Sequence, residues 1–223
     1  MNKSINSFLK YLSLILTPVF LFAYSSVAQD LNIKEVMQKM ETADDALHSL
    51  RFNFKQKIVF LLTNESQTKN GEAVFSKPDK IRIRQISPEE QVITGNGKKV
   101  WIYTPLYKQV AVDKWKKWLK NDNLAYTFFG YLKSFKEFEQ QYFFELQGKE
   151  LNKIIIFLSP KKDNLPKMKF WIDDETFMPV RSVIYLGNVE IQTDMEKIEK
   201  NPTLAKDEFK FKVPPKTNII EFD

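Results

Sequence analysis

Phe75-Ser76-Lys77-Pro78-Asp79-Lys80-Ile81-Arg82-Ile83, followed by Gly95-Asn96-Gly97-Lys98-Lys99-Val100-Trp101-Ile102-Tyr103-Thr104-Pro105, decides the fold class of this 223-residue chain. Short apolar runs broken at Pro78 and at Asn96-Gly97, with no catalytic group among them, predict three successive antiparallel strands. Val100 to Tyr103 is apolar on both faces through its centre. A strand of that kind needs cover on both sides, so something must pack inside the curve of the sheet.

Working outward, period-two patterns dominate. Phe52, Phe54, Gln56, Ile58 and Phe60 alternate with Arg51, Asn53, Lys55, Lys57 and Val59, which reads as a half-buried strand. Met168, Phe170 and Ile172 alternate with Lys167, Lys169 and Asp173 in the same way. Turn chemistry at Lys69-Asn70-Gly71, Ser87-Pro88-Glu89, Thr104-Pro105, Gly148, Ser159-Pro160, Asp173-Asp174 and Gly187-Asn188 divides the chain into about eleven strands, an up-and-down antiparallel sheet. Ahead of it, Leu31, Ile33, Val36, Met37, Met40, Leu47 and Leu50 recur at threes and fours and predict one amphipathic helix. Asp113 to Phe138 is the candidate cover. Trp115, Trp118, Leu119, Leu124, Phe128, Phe129, Tyr131, Leu132, Phe135 and Phe138 are more apolar bulk than a surface connector carries, either as permanent core or as a lid over a shared cavity.

Residues 1–28 read as a cleavable export signal: Lys3 and Lys10 precede the apolar run Leu12 to Ala23, and Ser26-Val27-Ala28 ends in small-x-small, placing cleavage after Ala28. Residues 29–223 then form a single domain. With no cysteine in the chain, neither a lipid anchor on Cys nor a disulfide is available, and the domain must be held by its own core. Losing Lys3 and Lys10 lowers the formal net charge from +6 to +4, and the lysines are scattered along alternating strands, which does not predict a nucleic-acid partner.

The catalytic inventory is nearly empty. His48 is the one histidine and sits at the end of the first helix, where a solvated or capping role is expected. No Cys is present for thiol chemistry, and no residue spacing announces a metal or a cofactor. Asp44-Asp45, Glu89-Glu90 and Asp173-Asp174-Glu175 are adjacent acids that point in different directions, unlike the facing carboxylates of a glycosidase. A lipid or glycan hydrolase therefore lacks its base, and the profile is that of a binder of apolar cargo.

The order of the amphipathic helix, Phe54-Lys55-Gln56, Phe75-Ser76-Lys77-Pro78, Gly97 to Pro105 and Ile172-Asp173-Asp174-Glu175-Thr176-Phe177-Met178-Pro179-Val180-Arg181 resembles the LolA-type outer-membrane lipoprotein carriers. Phe209-Lys210-Phe211-Lys212-Val213-Pro214-Pro215-Lys216-Thr217 looks like that family's last strand. The resemblance implies a mainly β fold with α: an incomplete, strongly curved antiparallel barrel whose concave face is covered by helices. It also implies a monomeric periplasmic shuttle that takes acylated lipoproteins from an inner-membrane ABC-type release complex to an outer-membrane acceptor.

By alternation the acyl-binding face is Phe52, Phe54, Ile81, Ile83, Trp101 and Tyr103, with Trp115, Trp118, Phe128 and Phe129 as a lid that refills the space when cargo leaves. Where the family has an Arg before the Pro of its second-strand motif, tied to lid closure and cargo transfer, this chain has Lys77, a point charge without the planar fork of Arg. Alternative readings keep the fold and change the job, to a periplasmic lipid or glycolipid carrier or to a lipid-responsive sensor or adaptor.

Overall fold

Asn32 starts the first helix. Its backbone is extended and its side chain accepts the Lys34 N–H at 3.0 Å, leaving Ile33–Asp45 as α1 in the computed structural model. The structure describes residues 32–121, 135–163 and 165–222, so Phe128 and Phe129 lie outside the described residues. The apolar periodicity runs on to Leu50, but the helix stops at Asp45. Asn201 is the reason: its Oδ1 accepts the N–H groups of His48 and Ser49 at 2.8 and 3.1 Å, and its Nδ2 donates to the Ala46 carbonyl at 3.0 Å. The clamp turns the chain into the sheet, and Leu47 and Leu50 enter the core from the turn and the first strand.

Two meanders follow. The first is β1 (Ser49–Phe60), β2 (Glu65–Ser76), β3 (Lys80–Ser87), β4 (Gln91–Asn96), β5 (Lys99–Thr104) and β6 (Gln109–Lys114). α2 (Trp115–Asn121) and α3 (Phe135–Gln141) come next. The second meander is β7 (Tyr142–Glu150), β8 (Lys153–Pro160), β9 (Lys167–Asp173), β10 (Pro179–Leu186) and β11 (Val189–Lys200), and β12 (Asn218–Glu221) closes the order.

Pairing of β11 with β1 joins the meanders into one twelve-stranded sheet, ordered β12-β6-β5-β4-β3-β2-β1-β11-β10-β9-β8-β7. It is curved and does not close, with β12 and β7 as its edges. Neighbours are antiparallel except β12, which runs parallel to β6.

The last strand is not where the family pattern puts it. Asn201 to Thr217 forms no strand, and β12 starts at Asn218. Pro214 and Pro215 cannot donate to a ladder, and the segment is used instead as an outer cover. Phe211 lies 6.1 Å from Trp101 and 5.9 Å from Tyr103, ring centre to ring centre, while Glu208 pairs with Arg82 at 3.6 Å and Arg51 at 3.9 Å.

The inner face carries two core clusters. Phe52, Phe54, Phe75, Ile81, Ile83, Ile93 and Val100 pack with Trp115 and Trp118 of α2. Ile156, Leu158, Met168, Phe170, Ile172 and Ile184 pack with Val36 of α1 and Phe138 of α3. At the seam between the meanders, Gln56 of β1 and Thr193 of β11 face each other, both buried and joined at 3.1 Å. A satisfied polar pair there favours this register of the two halves, because a slip of one residue turns one of the two groups to the opposite face and leaves the other buried without its partner.

Candidate functional site: an apolar cavity under two helices

The second meander does not pack solidly against its helices. A cavity opens between Met40, Ala43, Asp44 and Leu47 of α1 and its exit, Phe135 and Phe138 of α3, Phe144, Ile156, Leu158, Phe170 and Ile172 of the sheet, and Phe177, Met178 and Pro179 of the β9–β10 turn. Among the described residues Asp44 is the one charged group in that lining. The cavity volume is about 70 Å³. A whole acyl chain needs more space than that, so filling the cavity requires α1 or α3 to shift.

Asp44 ties the cavity roof to the sheet. Lys77, in the turn between β2 and β3, donates from Nζ to the Asp44 carbonyl at 2.6 Å and to Asp44 Oδ1 at 2.7 Å. The other carboxylate oxygen accepts the N–H of Phe135, the first residue of α3, at 3.2 Å. One side chain thereby links the sheet, α1 and α3. Lys136, the next residue of α3, reaches Glu41 of α1 at 3.3 Å.

The floor of the mouth is a structured turn. Asp173 Oδ1 accepts both the N–H and the hydroxyl of Thr176 at 2.8 Å. Burial pushes the Asp173 carboxyl up, but the hydrogen bonds from Thr176 and Glu175 and the charge of Lys200 outweigh it and hold the group below its ordinary value. Phe177 follows with φ at +54°, and the Lys39 ammonium stands 5.0 Å from its ring centre.

The structure divides the residues expected to bind acyl chains. Phe52, Phe54, Ile81, Ile83, Trp115 and Trp118 come together in the first cluster, with the two indoles stacked at 5.4 Å. Trp115 sits on Gly95, where any Cβ would run into the indole ring. None of these six lines the cavity among the described residues. Trp101 and Tyr103 are on the opposite face from Val100 and Ile102, under Phe211, and so stand apart from Ile81 and Ile83. The cavity residues are partly visible in the sequence: Met40 and Leu47 belong to the apolar helix face, Phe170 and Ile172 to a clean alternation, and Phe135 and Phe138 to the aromatic connector. No local pattern marks that these residues leave a gap between them.

Residues 45–212 match the family model described as outer membrane lipoprotein carrier protein LolA. An outer-membrane lipoprotein carrier protein of Legionella pneumophila (strain Corby) is 27% identical over 182 residues, covering 79% of this chain and 85% of that one. Another, from Francisella tularensis subsp. tularensis (strain WY96-3418), is 24% identical over 212 residues, covering 93% and 96%. In fold, the chain is similar to the crystal structure of an uncharacterized conserved protein from Thermus thermophilus, with a TM-score of 0.55 at 12% identity over 85% of this chain and 98% of that one.

Proposed function

The chain belongs to the LolA family of outer membrane lipoprotein carrier proteins, and from that premise we propose that it carries lipoproteins through the periplasm with their acyl chains between the sheet and α1 and α3. The observation that carries this reading is the cavity itself: among the described residues apolar except at Asp44, small when empty, and roofed by helices that the Asp44 carboxylate ties to each other and to the sheet. Burying a methylene is worth about 0.8 kcal/mol, so a chain of roughly 16 carbons contributes on the order of 12 kcal/mol gross. Such a cargo does not stay in water. A carrier must cover it and still release it, which requires the empty state to recover part of the lost burial by collapsing.

In this proposal the leader is removed after Ala28, cargo arrives from an inner-membrane ABC-type release complex, and it leaves to an outer-membrane acceptor. Lys77 acts as the latch: its ammonium must let go of Asp44 before α1 and α3 can move off the sheet. The deciding experiment is mass spectrometry of what co-purifies with the chain from its native envelope. Acylated lipoproteins are the expected cargo, and free phospholipid or glycolipid as the sole cargo would overturn the reading.

A further inference from the structure

The apolar cavity shares its walls with a second, open groove. Ala43, Leu47 and Phe177 line both. Beyond them the groove is bordered by Lys39 and Thr42 of α1, Glu175 of the β9–β10 turn and Lys200 at the end of β11. Its volume is about 450 Å³ against about 70 Å³ in the cavity. Phe177 stands on the boundary in a left-handed backbone conformation, at φ +54°, that a bulky residue rarely adopts and that is held here by the Asp173 turn.

Resting on the carrier reading above, we propose that this groove binds the polar part of the cargo, the peptide segment that follows the acylated residue. A molecule with apolar chains joined to a peptide must pass from apolar to polar surroundings at one place. Amide and ester groups left in the cavity without partners lose their hydration and gain nothing in return. Ala43, Leu47 and Phe177 mark the place where the lining changes. Past them, exposed groups of both signs, Lys39 and Lys200 against Glu175, meet peptide carbonyls, amides and side chains of either charge. A lone anionic headgroup is less well matched, since Glu175 lines the same groove.

The test uses the full mature chain with three ligands: a fluorescent fatty acid, a synthetic diacylated peptide and a phospholipid with the same chains. Thr42→Trp fills the groove from an exposed helical position that does not border the cavity. It is expected to weaken the diacylated peptide by about tenfold or more, a change of about 1.4 kcal/mol, while the fatty acid and the phospholipid keep their affinity. As a check independent of that substitution, benzoylphenylalanine at Thr42 is expected to cross-link the peptide portion far more than the same group at Lys57 on the outer face.

Equal loss for all three ligands, no loss for any, equal loss for peptide and phospholipid, or equal cross-linking from Lys57 would each overturn the groove and leave the carrier reading standing. Failure of the wild-type chain to bind any of the three would overturn both.

Discussion

Asp44 does with one carboxylate what a lid otherwise needs several contacts to do. Its two oxygens face different elements, and its own carbonyl takes the same Lys77 ammonium, so loss of Lys77 frees α1 from the sheet at this point while Asp44 still holds α3 through the Phe135 N–H. Lys77→Leu is expected to destabilise by about 1–3 kcal/mol, because the part-buried Asp44 carboxylate then loses its charged partner. At this chain length that lowers the melting temperature by roughly 2–4 °C per kcal/mol. Asp44→Leu in the same background should add much less than it does alone, and full additivity in a thermal melt would break the latch argument. Gly95 is the second position where one atom decides. Gly95→Ala drives a methyl into the Trp115 ring, and overpacking of this kind costs about 1–3 kcal/mol, readable as a loss of stability in urea.

Among the elements, α1 is set from outside itself and the β9–β10 turn from within. α1 ends where Asn201 takes the N–H groups of His48 and Ser49 and holds the Ala46 carbonyl. Asn201→Ala is expected to cost at least about 1–3 kcal/mol, by leaving these backbone groups without their partner, and amide exchange at His48 and Ser49 should accelerate.

The β9–β10 turn depends on pH with a definite sign. Asp173 is held below its ordinary value in the fold, so its contribution is present above the unfolded carboxyl pKa of about 3.9 and is lost as pH falls through the lower folded value. Asp173→Asn should lower stability at neutral pH and flatten the acid limb below about pH 4. An acid limb of unchanged slope in that variant would show that the turn does not carry this dependence.

For the whole molecule, a cavity between the second meander and α1 and α3 gives the body a side on which it can open. Binding a full chain needs more than the 70 Å³ now present. On adding a fluorescent acyl probe, emission from the stacked Trp115 and Trp118 is expected to change if α2 lifts with the roof, and an unchanged Trp spectrum would remove α2 from the lid.

Much of this architecture is legible in the chain alone. Alternation at Phe52, Phe54 and Gln56 and at Met168, Phe170 and Ile172 specifies half-buried strands, because a pleated strand turns successive side chains to opposite faces whatever lies beyond it. The poverty in His, Cys and Gly likewise states what chemistry the side chains cannot support.

The place of the cavity, the partner of Lys77 and the outward placement of Trp101 and Tyr103 were decided only by the tertiary structure. Alternation fixes that neighbours oppose each other but not which set faces in, and a two-sided strand such as Val100 to Tyr103 offers no polar residue to break the tie. The latch joins residues 33 and 91 positions apart in the chain, and Phe211 covers Trp101 from beyond the last long strand. Contacts at such separations exist because the sheet brings its strands together, and no local period records them.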